Sequence, residues 1–306
     1  MNASVRAPSL RYLLFPLLAV FIWAVNMSVT KRAADVISPG SMSFYRWVLA
    51  GALLLPFSAR GLWRERAAIR ACWLKLAVLG LLGMVMYQGL SYFAAASTSA
   101  TNMGIISSLI PVFTIGVSAV VAHERPRLAA VTGGLLSLAG LCVLLSQGDL
   151  ARLVHTGVGI GDALMVLASL AYALYGVLLR KWALKLGAWQ SLSMQIVFGV
   201  LFQLPGFLLS TPSPITADNL PLIVYAGIFP SLIGPFAWME GVRHLGATRA
   251  SAFLNLMPVL TAVIAALVLG EHLYGYHFLG GGIALAGVAL SQWPARRTTP
   301  PAARGG

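Results

Sequence analysis

Apolar residues run almost unbroken for about 20 positions at a time along this chain and then give way to short clusters of Arg, Lys, Gly and Pro. Ten such stretches can be drawn, at 12–30, 41–58, 73–93, 98–121, 127–146, 160–180, 190–209, 219–241, 247–269 and 274–293. Each approaches the roughly 20 residues that an α-helix needs to cross about 30 Å of hydrocarbon. A segment surrounded by lipid must satisfy its own backbone N–H and C=O groups, and a helix does this. The pattern therefore predicts an all-α integral membrane protein with ten transmembrane helices.

A second pattern lies over the first. Ala100, Thr101, Pro111, Glu124, Gly133, Gly134 and Gly140 recur 147 residues later as Ala247, Thr248, Pro258, Glu271, Gly280, Gly281 and Gly287. In a chain of 306 residues this is close to half the length, which is the mark of a duplicated unit. The expected organisation is a first five-helix repeat over 1–150, a second over 151–295, and a disordered basic tail over 296–306. The first apolar stretch has the look of a signal peptide. Trp23-Ala-Val-Asn26 nevertheless matches Tyr172-Ala-Leu-Tyr175 at an offset of 149, which assigns that stretch to the repeat and to the mature protein.

Composition agrees: 58% of residues are hydrophobic and only 9% charged, where soluble domains carry about 25%, and the mean hydropathy is +0.84. The net charge of +13 does not call for nucleic acid, because the cations lie in short segments between apolar runs. If the ten spans alternate, seventeen Lys and Arg fall on the side of the termini and only Lys31, Arg32 and Arg152 on the other. The positive-inside rule then places both termini in the cytoplasm. With five helices per half, the second half inserts upside down relative to the first.

The stretch from Tyr92 through Ala100, Pro111, Glu124, Gly133 and Gly140, its echo from Gly246 to Gly287, the Trp23–Asn26 start leading to Lys31, and Arg46 in the second span together resemble the EamA family of the drug/metabolite transporter superfamily. The resemblance covers both halves. It implies ten helices in two inverted repeats, residence in a bacterial inner membrane, and export of amino acids or related metabolites, aromatic ones included. One departure is Ala24, where the family often has Gly after the Trp; Ala is still small enough for close helix approach.

The residues deep in the spans are aromatic or neutral and polar. Trp23, Asn26, Tyr87, Gln88, Tyr92, Asn102, Tyr172, Tyr175, Trp238 and Asn255 are the candidate substrate-binding set. Such a cavity encloses an apolar side chain while amides and phenols bind polar ends; the alternative for each residue is an interfacial belt or a helix-linking amide. Pro111 and Pro258, read as mid-helix, are either gating hinges beside the substrate path or fixed kinks. Glu124 and Glu271 are expected to cap the helix that follows each, with a gating ion pair as the other reading. Arg46 either reaches the interface, holds a carboxylate, or links helices. Glu240 is expected to pair with Arg243, and Asp162 to sit at a helix start.

The chemistry of catalysis is missing from the pattern. There is no HExxH, GxSxG with distributed partners, or Walker motif among the 306 residues, and acidic residues number only eight. His123–Glu124 and Glu271–His272 have no third ligand at helical spacing, so no metal or other cofactor is expected. Cys72 and Cys142 lie in apolar runs and read as small core residues. The expected partners are a small-molecule substrate and membrane lipid, with a monomer as the functional unit. A broad drug or nucleotide-sugar carrier is the rival within the same class, and an intramembrane enzyme or receptor the rival outside it.

Overall fold

The computed structural model describes residues 10–123, 126, 128–149, 158–209, 211–245 and 252–291. Glu124, residues 246–249 and the tail over 296–306 lie outside the described residues, as do the side chains of Arg243 and Asn255. No strand occurs among the described residues. Eight helices are long and apolar enough to cross a membrane: α1 (Leu14–Ala33), α2 (Pro39–Arg64), α3 (Arg66–Ala95), α4 (Ala100–Val121), α5 (Leu128–Leu145), α6 (Ile160–Trp182), α7 (Ala188–Leu209) and α8 (Leu220–Gly241). Two shorter apolar helices follow, α9 (Met257–Leu269) and α10 (Gly275–Ser291). Large side chains such as Phe57, Leu209 and Leu267 are more than 80% exposed on the outside of the bundle. That surface suits hydrocarbon, and the chain is a multi-pass membrane protein.

Local chemistry sets the helix ends. Ser38 precedes Pro39 and accepts from the Ser41 N–H, while Ser99 accepts from the Asn102 N–H, so α2 and α4 each begin with a hydroxyl cap. Lys31, at the end of α1, donates to the Ala95 carbonyl at the end of α3. A cation there suits the negative pole of a helix.

Pro111 and Pro258 sit just after interruptions rather than within unbroken α-helix. Each stands within the first turn of a helical segment, Ile110–Val121 and Met257–Leu269, where a missing N–H costs no hydrogen bond. The chain before each breaks regular α geometry: at Ser108–Leu109 inside α4, and as a 3-10 turn over Ala252–Leu256 before α9.

Two further interruptions are π-helical, Leu81–Tyr87 in α3 and Phe229–Ile233 in α8. Shifted back by the repeat offset of 147, the second covers 82–86 and so falls within the first. Pro230 has no N–H to give in the second segment, and the Ser231 hydroxyl donates to the Ala226 carbonyl at 2.7 Å. In the first, the Trp47 indole donates to the Met84 carbonyl at 3.1 Å.

Packing between the halves follows a reciprocal scheme. α1 packs on α8 as α3 packs on α6; α1 meets α9 as α4 meets α6; α2 meets α8 as α3 meets α7; and α2 pairs with α7, α4 with α9 and α5 with α10. The α5–α10 pair is the tightest. A Cβ on Gly140 would stand 2.6 Å from the Gly280 carbonyl oxygen, and one on Gly133 2.5 Å from that of Gly287. Advancing from 133 to 140 along α5 means retreating from 287 to 280 along α10, so the two helices are antiparallel. Only glycine lets backbones approach this closely.

Candidate functional site

Between the halves lies a cavity of about 660 Å³, within the range of small-molecule sites. α1 contributes Trp23 and Asn26, α2 Arg46 and Trp47, α3 Tyr87 and Gln88, and α4 Ser107 and Pro111. From the second half come Tyr172 and Tyr175 of α6, Gln195 of α7, Pro230, Ser231 and Trp238 of α8, and Met257 at the start of α9. The cavity extends to the connection between α6 and α7, where Leu184 and Leu186 line it.

The aromatic wall has two parts. The rings of Tyr87 and Tyr172 stand 4.4 Å apart, and Tyr175 stacks on Tyr172 at 5.3 Å. Trp23 and Trp238 meet at 5.6 Å. A Cβ on Gly83 would stand 3.2 Å from carbons of the Tyr175 ring, so the glycine in the π-helical turn of α3 leaves room for it. These contacts are non-polar and sided, which suits enclosure of an apolar or aromatic group.

Arg46 provides the cationic part. It is 1% exposed and is held by three neutral groups: Nε donates to Ser231 Oγ at 2.9 Å, and Nη1 to Gln88 Oε1 at 2.8 Å and to the Tyr92 hydroxyl at 3.1 Å. Its guanidinium also lies 4.9 Å from the centre of the Trp47 ring. Arg46 thus ties α2 to α3 and to the π-helical turn of α8.

Of the candidates read from sequence, Trp23, Asn26, Tyr87, Gln88, Tyr172, Tyr175 and Trp238 come together on the cavity wall. Tyr92 stands behind it as a brace for Arg46. Asn102 is away from it too, donating to Asp162 at 3.2 Å and thereby joining α4 to α6. Asp162 is in the first turn of α6 and also accepts from Thr98. Pro111 lines the central cavity, whereas Pro258 lines a second, apolar cavity of about 270 Å³ near His277.

Glu271 caps a helix, but not the one that follows it. It accepts from the Ala100 N–H at 2.7 Å and from the Thr101 N–H at 3.1 Å, both at the start of α4. Glu240 pairs with His244 at 3.4 Å, one helical turn along. Trp47, Gln195 and Ser231 were not among the candidates. Ser231 had a signal, a hydroxyl directly after Pro230 within an apolar run, whereas Gln195 is one of three glutamines in its run, with Gln190 and Gln203, and nothing local set it apart.

Comparison with known proteins agrees with this architecture. The model of the EamA-like transporter family matches residues 10–146 and again 159–293. An uncharacterized transporter of Archaeoglobus fulgidus is 29% identical, over 90% of this chain and 94% of its own. A probable terminal-alkyne amino-acid exporter of Streptantibioticus cattleyicolor is 27% identical, over 89% and 90%. The uncharacterized transporter YyaM of Bacillus subtilis is 25% identical, over 86% and 87%. A crystal structure 22% identical in sequence superposes with a TM-score of 0.61 over 92% of this chain and 96% of its own, which supports the fold. With both halves matched and the relatives aligned nearly end to end, the chain belongs to the EamA-like transporter family.

Proposed function

We propose that this protein exports amino acids, aromatic and apolar ones among them, and related small metabolites across the bacterial inner membrane by alternating access through the central cavity. The observation that carries the reading is the composition of the cavity wall. Tyr87, Tyr172, Tyr175, Trp23 and Trp238 offer aromatic surface beside the amides Asn26, Gln88 and Gln195 and the cation Arg46. This set suits a small molecule with an apolar side chain and charged ends. That one relative is named a probable amino-acid exporter supports the same substrate class.

In this reading α9 and α10 complete a set of ten spans arranged as two inverted repeats. The antiparallel course of α5 and α10 and the reciprocal packing of the other helices support the inversion. Seventeen basic residues against three support cytoplasmic termini. Substrate then enters through the α6–α7 end of the cavity, which carries Arg180, Lys181 and Lys185, and leaves on the opposite side after the halves exchange conformations.

Uptake of radiolabelled amino acids into proteoliposomes, with and without a pH gradient, tests this. Saturable flux is expected without need of the gradient, because the described carboxylates sit at helix ends and connections rather than within the bundle. Absence of flux for every amino acid, with flux of bulky cations or sugar nucleotides, would replace the substrate assignment.

A further inference from the structure

Arg46 has more donors than the protein satisfies. A guanidinium carries five N–H groups. Nε and Nη1 are engaged by Ser231, Gln88 and Tyr92, all neutral, and Nη2 has no acceptor among the described residues. The side chain is 1% exposed and lies on the cavity wall. No described carboxylate pairs with it. Asp35 is at Arg32, Glu65 at the Gly187 N–H, Asp162 at Asn102, Glu240 at His244, and Glu271 at Ala100 and Thr101.

A buried cation without a counter-charge is costly in a membrane interior. Three neutral hydrogen bonds orient it and leave its charge standing. In the same cavity, Asn26 is 94% buried and its Oδ1 has no hydrogen-bond partner among the described residues. One group therefore offers donors with positive charge, and the other offers an acceptor.

We infer that Arg46 is the specificity-determining residue of the cavity and that its Nη2 edge binds the carboxylate of the substrate. Transported molecules then carry an anionic group as an obligatory feature. Asn26 accepts from the ammonium of an amino acid, and the apolar side chain lies on the tyrosine wall. Ser231, Gln88 and Tyr92 are positioning residues that hold the guanidinium. The inference rests on the reading of the cavity as the substrate path, and it adds a rule about chemistry: a neutral or purely cationic analogue is excluded however well its ring fits.

The test uses the full-length protein in proteoliposomes and a ligand series built on one ring: L-phenylalanine, phenylalaninamide and phenethylamine, which lack the carboxylate, and 3-phenylpropionate, which lacks the ammonium. Phenylalanine is expected to be taken up at least about 10-fold better than the amide or the amine, the scale of one hydrogen bond to a charged group. In Arg46→Gln this preference collapses to within about 2-fold, while Arg46→Lys keeps part of it as a point charge. Where Arg46→Gln fails to fold, the series on the unaltered protein decides. Equal uptake of phenylalanine, its amide and the amine would overturn the role of Arg46 and leave the transporter reading intact. Uptake of phenylpropionate without phenylalanine would uphold Arg46 and remove amino acids as substrates. Uptake of the amine alone would overturn the carboxylate rule, whereas uptake of none of the four would overturn the amino-acid reading on which that rule rests.

Discussion

Glu271 holds Thr101 twice, accepting from its backbone N–H at 3.1 Å and from its hydroxyl at 2.7 Å. The contact bridges 170 residues of sequence and fastens the connection before α10 to the start of α4. It joins a carboxylate to the positive end of a helix, and the partner N–H groups are left without acceptors if it is removed.

Glu271→Ala is accordingly expected to lower stability by about 1–3 kcal/mol, the cost of orphaned donors at a helix start. Thermal melting in detergent should fall by several degrees, and Glu271→Gln should fall less because an amide oxygen still accepts. An unchanged melting curve for Glu271→Ala would mean that the cap carries no weight.

The close approach of α5 and α10 predicts a contrast between two glycines. Gly140→Ala places a methyl against the Gly280 backbone and should destabilise by about 1–3 kcal/mol. Gly282 in α10 has nothing within 4 Å of an added Cβ, so Gly282→Ala should be neutral or slightly stabilising. Yield and melting temperature of the two variants, measured together, check this.

Tyr175→Ala should reduce amino acid flux by up to about 10-fold through loss of one aromatic face, with the melting temperature nearly unchanged. Tyr175 is only half-buried and its ring faces the cavity. Flux equal to that of the unaltered protein would place the substrate elsewhere.

Orientation can be read with single cysteines. After replacing Cys72 and Cys142 by alanine, a membrane-impermeant thiol reagent added to whole cells should label Ala217→Cys and spare Lys185→Cys. These positions are exposed in the connections at opposite ends of α7. The reverse labelling would turn the protein over.

Eight of the spans were legible because hydropathy is a local property, and seven aromatic and amide residues read from the spans, Trp23 and Tyr175 among them, line one cavity. What the sequence could not convey is which distant backbone a side chain reaches. Glu271 was expected to cap the next helix, a local rule, and instead caps α4 because the fold brings Ala100 nearer. Tyr92 and Asn102 have the polarity of cavity residues, but helix rotation turns one toward Arg46 and the other toward Asp162. Pro111 and Pro258 marked interruptions correctly in kind but not in form, since proline is compatible both with a kink and with a first turn. The π-helical turns had only Pro230 and Gly83 as local hints.

Those turns have a consequence for phase. A π turn holds one residue more than an α turn, so every side chain beyond it is rotated by about 100° around the helix axis. Gln88 and Tyr92 follow the turn in α3, and Trp238 follows the one in α8. The placement of Gln88 and Trp238 on the cavity wall, and of Tyr92 against Arg46, is therefore set by a single surplus residue in each helix. Shortening either by one position, as by deletion of Val85, would swing the downstream half of the helix away from Arg46 while leaving its hydropathy intact.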